Sequence, residues 1–110
     1  MIKDILTAAG VEFAQGRFIT MPKGTHAVYF DDVETETADP VASEGMPRIY
    51  HHNVTVELYE PAPDDAAEAA IEAELNARGI LWTKEARYWL QNVQRYQVVY
   101  EFNYNEKRRA

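Results

Sequence analysis

The sequence predicts an α+β fold, a mainly antiparallel sheet of about four strands with two helices packed on one face. Three patterns predict it. Residues 48–59 and 93–104 alternate apolar and polar side chains with period two, as half-buried strands do. Residues 65–78 set Ala67, Ala70, Ile71 and Leu75 on one helical stripe. The strand pairs follow one another without a crossover helix, which favours antiparallel hairpins, and a sheet with one apolar face calls for helices on that face.

The elements follow in order. Ile2, Ile5, Leu6 and Ala9 share one helical face, so a helix is predicted over 2–9, with Gly10 in the left-handed position past its end. Residues 11–13 read as a brief extended piece. Gly16, Pro22 and Gly24 make 14–25 a loop, with Phe18, Ile19 and Met21 available to tuck inward. Residues 26–36 form a strand with Val28 and Phe30 on one face and Tyr29 and Val33 on the other. Its second half, Asp31-Asp32-Val33-Glu34-Thr35-Glu36, is too acidic to be covered on both sides and belongs at a sheet edge or in solvent. A long hairpin connection follows over 37–47, marked by Asp39-Pro40, Gly45 and Pro47.

The strand over 48–59 sets Tyr50, His52, Val54, Val56 and Leu58 against a mixed face, and Pro61 and Pro63 end it. Asp64 or Asp65 can cap the helix over 65–78, and Asp65 with Glu68 resembles a capping box; Arg78-Gly79 closes the helix. Residues 80–82 start new β structure, and 84–90 suit either a strand or a helical turn. After a turn at Gln91-Asn92, the strand over 93–104 puts Tyr96, Val98, Tyr100, Phe102 and Tyr104 on one face.

At 110 residues the chain has room for one domain spanning 1–110, and its composition, 46% hydrophobic with 26% charged, is that of a globular protein. There is no cysteine, so disulfides, thiolate metal sites and cysteine nucleophiles are excluded. Eleven basic against eighteen acidic residues give a net charge of −7, which disfavours a specific nucleic-acid partner. Lys107-Arg108-Arg109, the one basic cluster, reads as a solvated tail. The N-terminal residues lack the apolar run of a signal peptide, and no apolar stretch reaches membrane-spanning length, so no membrane partner is expected.

Catalytic chemistry finds no motif. His51 and His52 are neighbours on a strand and point to opposite faces; His26 joins His52 only if the two strands pair in the right register. The acidic groups at 31–36 and 64–65 read as solvated and capping carboxylates, because a catalytic pair needs one desolvated member. The glycines are isolated, and the one serine, Ser43, has no adjacent histidine. The expectation is therefore no enzyme, no catalytic residue, no cofactor and no metal. Tyr88, Trp89, Tyr96, Tyr100, Phe102 and Tyr104 crowd the last third, suiting cross-strand core packing and, on another face, burial against a partner.

Four pieces in order resemble the tail-completion or tail-terminator proteins of long-tailed phages and prophages. They are Tyr29-Phe30; Tyr50-His51-His52-Asn53-Val54-Thr55-Val56-Glu57-Leu58-Tyr59 before a Pro-Asp-Asp helix start; Ile71-Glu72-Ala73-Glu74-Leu75 leading to Gly79-Ile80; and Tyr96-Gln97-Val98-Val99-Tyr100-Glu101-Phe102. The similarity spans about residues 28–104. It implies a structural subunit without catalytic residues that self-associates into a ring, often a hexamer, in solution or only on the tail. Its partners would be tail-tube and head-connector proteins, and it would reside in the virion after assembly in the host cytoplasm. Asp31, Asp32, Glu34, Glu36, Asp39, Arg48, Trp89 and Arg95 are the candidate assembly contacts. The rival reading is a small non-enzymatic protein-binding module or regulator encoded by a mobile element.

Overall fold

The computed structural model describes residues 1–35 and 47–109. The elements are α1 (Ile2–Ala9), β1 (Glu12–Gln15), β2 (His26–Thr35), β3 (Pro47–Glu60), α2 (Asp65–Ala77), β4 (Trp82–Lys84), β5 (Tyr88–Leu90) and β6 (Arg95–Arg109). The fold is α+β with both helices packed into one core against the sheet, as the sequence predicts. The sheet differs from the expectation in having six strands among the described residues, in the order β1-β2-β3-β6-β4 with β5 also on β6. The β1–β2 pair is parallel, and every other pair is antiparallel.

Each departure has a local cause. Gly16 has φ 77°, a conformation glycine adopts without penalty, and its N–H donates to the Tyr29 carbonyl at 3.0 Å. That turn lets the chain loop back and begin β2 beside β1. The strand over 93–104 starts later, because Gln94 has φ 53° and its side chain donates to the Gln91 carbonyl at 2.8 Å, closing a tight turn between β5 and β6. Residues 84–90 are not a helical turn: β4 and β5 pair side by side along β6. β6 also runs on through Lys107-Arg108-Arg109, whose backbone pairs with the first residues of β3, so this segment is a strand and not a loose tail. Finally, Asp64 is the α2 cap, accepting from the Ala67 N–H at 3.0 Å and from the Thr25 hydroxyl at 2.6 Å. The expected Asp65–Glu68 capping box does not form, since Glu68 turns into the core side of the helix.

One face of the sheet is dry. Ile2, Ile5 and Leu6 of α1 and Ile71 and Leu75 of α2 pack on Val54, Val56 and Leu58 of β3 and on Val98, Tyr100 and Phe102 of β6. The other face, with His51, Thr55, Glu57 and Tyr59 of β3, carries no helix among the described residues and is half-buried at most along β3. A 14-residue strand is about 45 Å long, whereas a 13-residue helix is about 20 Å. The two helices therefore cover only the part of the sheet around 52–60, and β2, β3 and β6 continue past them as a three-stranded arm. This arm accounts for a molecule measuring 54 × 29 × 22 Å.

Candidate functional site

The arm is rooted by a histidine. His52 lies in register with Val33 on β2 and Tyr104 on β6 and is almost fully buried. Its Nδ1 lies 2.9 Å from an Asp31 carboxylate oxygen, its Nε2 3.3 Å from Glu106, and its ring stacks on Tyr104 at 4.3 Å. Both ring nitrogens thus lie within hydrogen-bonding reach of a carboxylate. Beyond this clamp no helix among the described residues backs the sheet.

The arm also has two open edges. β1 pairs with β2 only along His26–Tyr29, so among the described residues nothing pairs with the outer edge of β2 over 30–35. β4 pairs with β6 only up to Phe102, which leaves the outer edge of β6 over 103–109 bare in the same sense. The acidic run at 31–35 thus lies at a sheet edge, as its composition requires.

A second cluster sits at the opposite end of the sheet, under α2. Glu60, the last residue of β3, is fully buried, and its Oε1 accepts from the Arg87 Nε at 3.2 Å. Arg87 also donates to Glu68 at 2.5 Å and to Asp65 at 2.9 Å. Lys84 bridges Glu68 at 2.8 Å and Glu72 at 2.7 Å, and the buried Tyr100 hydroxyl donates to Glu72 at 2.7 Å. Carboxylates outnumber cations here. Oε2 of Glu60 is buried and meets no donor. Protonation removes the conflict by turning that oxygen into a donor toward Glu68. Burial first, then the neighbouring Glu68, pushes the Glu60 carboxyl up to about 7, with Arg87 opposing. Burial would also raise Glu68, but hydrogen bonds from Glu60, Arg87 and Lys84 outweigh it and hold that carboxyl down at about 2. The same bonds raise Lys84 against its own desolvation, and burial followed by the Glu72 contact raises the Tyr100 hydroxyl. The cluster bolts α2 to β3, β4 and β6.

Sequence reasoning passed over this pair, although a signal existed. Glu60 continues the inward stripe Val54, Val56, Leu58, and Glu68 precedes Ile71 and Leu75 on the buried face of α2.

The predicted contact residues scatter. Asp31 faces the helix side, bonded to His52, whereas Asp32 and Glu34 alternate to the open face, where Glu34 is level with His51. Arg48 enters β3 in register with Arg108. Glu36 and Asp39, with the rest of the 37–46 connection, lie outside the described residues. Trp89 is exposed, edge-on to Tyr96 with its indole N–H on Gln91. Arg95 turns inward: its guanidinium donates to the carbonyls of Gln94 at 2.9 Å and Lys23 at 3.2 Å, pinning the 16–25 loop to the β5–β6 turn. His26 does not meet His52; it pairs opposite Tyr59, stacks on that ring, and donates from Nδ1 to the Gly24 carbonyl.

No family model and no curated protein matches the chain. Its fold does match solved structures. A chain in the virion of a native gene transfer agent particle superposes with a TM-score of 0.58 at 15% identity, covering 94% of this chain and 84% of that one. A second solved protein, without a descriptive name, superposes at 0.54 with 11% identity, covering 96% of this chain and 86% of its own. At these identities the likeness is one of fold, and it extends over nearly the whole of both chains.

Proposed function

We propose that this chain is a structural subunit of a phage-type particle, a tail terminator that forms a ring at the head–tail junction. The observation that carries the reading is the fold shared, nearly end to end, with a chain of a gene transfer agent virion. The geometry supports it. A three-stranded arm with open edges is suited to contacts between copies, and the closely paired charged groups serve packing rather than an open reaction site. In this role the protein acts without catalysis, meets tail-tube and head-connector proteins, and passes from the host cytoplasm into the virion. The net charge of −7 suits a lumen through which DNA slides without sticking.

The test is complementation. Particles assembled without this protein are expected to carry tails of irregular length that do not join heads. Adding intact protein should restore both. If intact protein changes neither length nor joining, the tail-terminator reading fails and the binding-module reading replaces it.

A further inference from the structure

We propose that copies of this chain join through the two bare edges of the arm, the β2 edge of one copy lying parallel to the β6 edge of the next with a two-residue stagger. The inference rests on the self-assembly reading above and specifies its contact.

Backbone geometry fixes which groups are on offer. Successive residues of a strand direct their N–H and C=O to alternate sides. The Tyr29 carbonyl accepts from Gly16 on the β1 side, so Asp31, Val33 and Thr35 point the same way, past the end of β1. The Val99 carbonyl accepts from Glu85 on the β4 side, so Asn103, Asn105 and Lys107 point outward past the end of β4. The two edges lie on opposite sides of the arm.

Charge selects the pairing. The β2 edge carries Asp32 and Glu34, Asp31 being turned to His52, and the sequence of the β6 edge ends in Lys107-Arg108-Arg109. Two β2 edges repel, as do two β6 edges, whereas β2 against β6 attracts. Glu106 does not spoil the basic edge, because it turns to His52. The β2 edge also leaves Phe30 and Val33 at 40% and 46% exposure, apolar surface that an added strand would cover.

Direction and register follow. β2 and β6 both run antiparallel to β3 and hence parallel to each other. Copies set side by side in one orientation continue the sheet through a parallel pair. Within one copy Glu34 is level with Asn105, both opposite His51. Bringing Glu34 against Lys107 of the next copy requires a shift of two residues, about 7 Å. An even shift keeps both side chains on the open face. Such a head-to-tail contact leaves the pair one free edge of each kind, so it closes into a ring or propagates, and does not stop at a dimer.

The chain has no cysteine, which makes cross-linking clean. Within one copy β3 separates β2 from β6, so Cα atoms at 34 and 107 stand about 10 Å or more apart, beyond disulfide reach. The experiment mixes Glu34→Cys protein with a size-tagged Lys107→Cys protein under mild oxidation, free at high concentration and bound to tails. The expected major product is the mixed dimer, with little dimer from either variant alone, and an E34C/K107C chain should give a ladder. An Asn103→Cys partner, out of register, should cross-link poorly. Dimers of E34C with itself, equal yields from N103C, or no mixed product in either setting would overturn the inference. Tails that are capped without this cross-link refute the edge pairing and leave the function standing. Cross-linking by protein that caps no tail does the reverse.

Discussion

Replacing Glu60 with glutamine tests the buried carboxyl whose titration burial and Glu68 push up to about 7. Below pH 7 the protonated acid accepts from Arg87 through one oxygen and faces Glu68 with the other. A carboxamide reproduces this arrangement, with its oxygen toward Arg87 and its NH2 toward Glu68, and it does not titrate. The folded carboxyl titrates at about 7 against the ordinary glutamate value of 4.5. Its contribution is therefore complete below pH 4.5 and is lost as pH rises through 7, when the unfolded chain ionises freely and the folded one must bury a charge. The gap corresponds to about 3 kcal/mol. Solvent reaching the part-exposed Arg87 screens the cluster and reduces this to roughly 1–3 kcal/mol. Urea unfolding of both proteins from pH 4 to pH 8 reads it out. Near pH 4.5 the two should agree; by pH 8 Glu60→Gln should be the more stable, with its midpoint higher by about 1 M. The difference curve cancels the histidines, which both proteins share. A curve that is flat, or that falls with pH, would refute the assignment of the proton to Glu60.

Glu68→Gln should behave in the opposite sense. The native carboxylate is held at about 2, so its stabilisation is present above pH 4.5 and lost as pH falls toward 2; the variant should be weaker by roughly 1–3 kcal/mol at neutral pH, with the deficit closing in acid, as acid titration followed by circular dichroism will show. Asp64→Ala removes the acceptor for Ala67 N–H and Thr25 hydroxyl and should lower stability by about 1 kcal/mol in urea unfolding, against no change if the cap were elsewhere. Leu75→Ala opens a cavity beneath α2 where the native side chain is fully buried, and calorimetry should register a loss of about 3 kcal/mol.

The parts of the fold legible in sequence are those where one residue type repeats on one face. β3 and β6 declare themselves by alternation, and α2 by its stripe, because each is long enough for the period to be read. β1 has four residues, and its parallel partner is set by the return of a loop, a tertiary event without a local pattern. The basic run 107–109 looks like a tail because polar composition does not disclose that a 14-residue partner strand waits for it. The ion cluster escaped notice because its members come from positions 60, 68, 72, 84, 87 and 100, brought together only by the sheet order. Arg95 shows the limit in the other direction: a charged residue at a turn reads as surface, yet backbone carbonyls claim it.

The distribution of buried contacts separates two kinds of perturbation. Around 52–60 the sheet is held by the helices, the apolar core and the Glu60–Arg87 cluster. The arm beyond His52 is held, among the described residues, by its own ladders, by the Asp31–His52–Glu106 clamp and by side-chain bonds such as His51 to Asn105 at 2.6 Å. Substitutions at Leu75, Asp64 or Glu60 should therefore move the unfolding midpoint while leaving the geometry of the arm edges intact. Exposed positions such as Glu34 and Lys107 make no core contact, so their exchange should leave the midpoint within about 0.5 kcal/mol of the native value. A charge reversal at either one alone should weaken contact between copies, and reversal of both together should restore it, because the two edges would still be opposite in sign at that point. Loss of assembly in the double reversal, with stability unchanged, would mean that the edges meet through shape or through another contact, and not through the Glu34–Lys107 pairing.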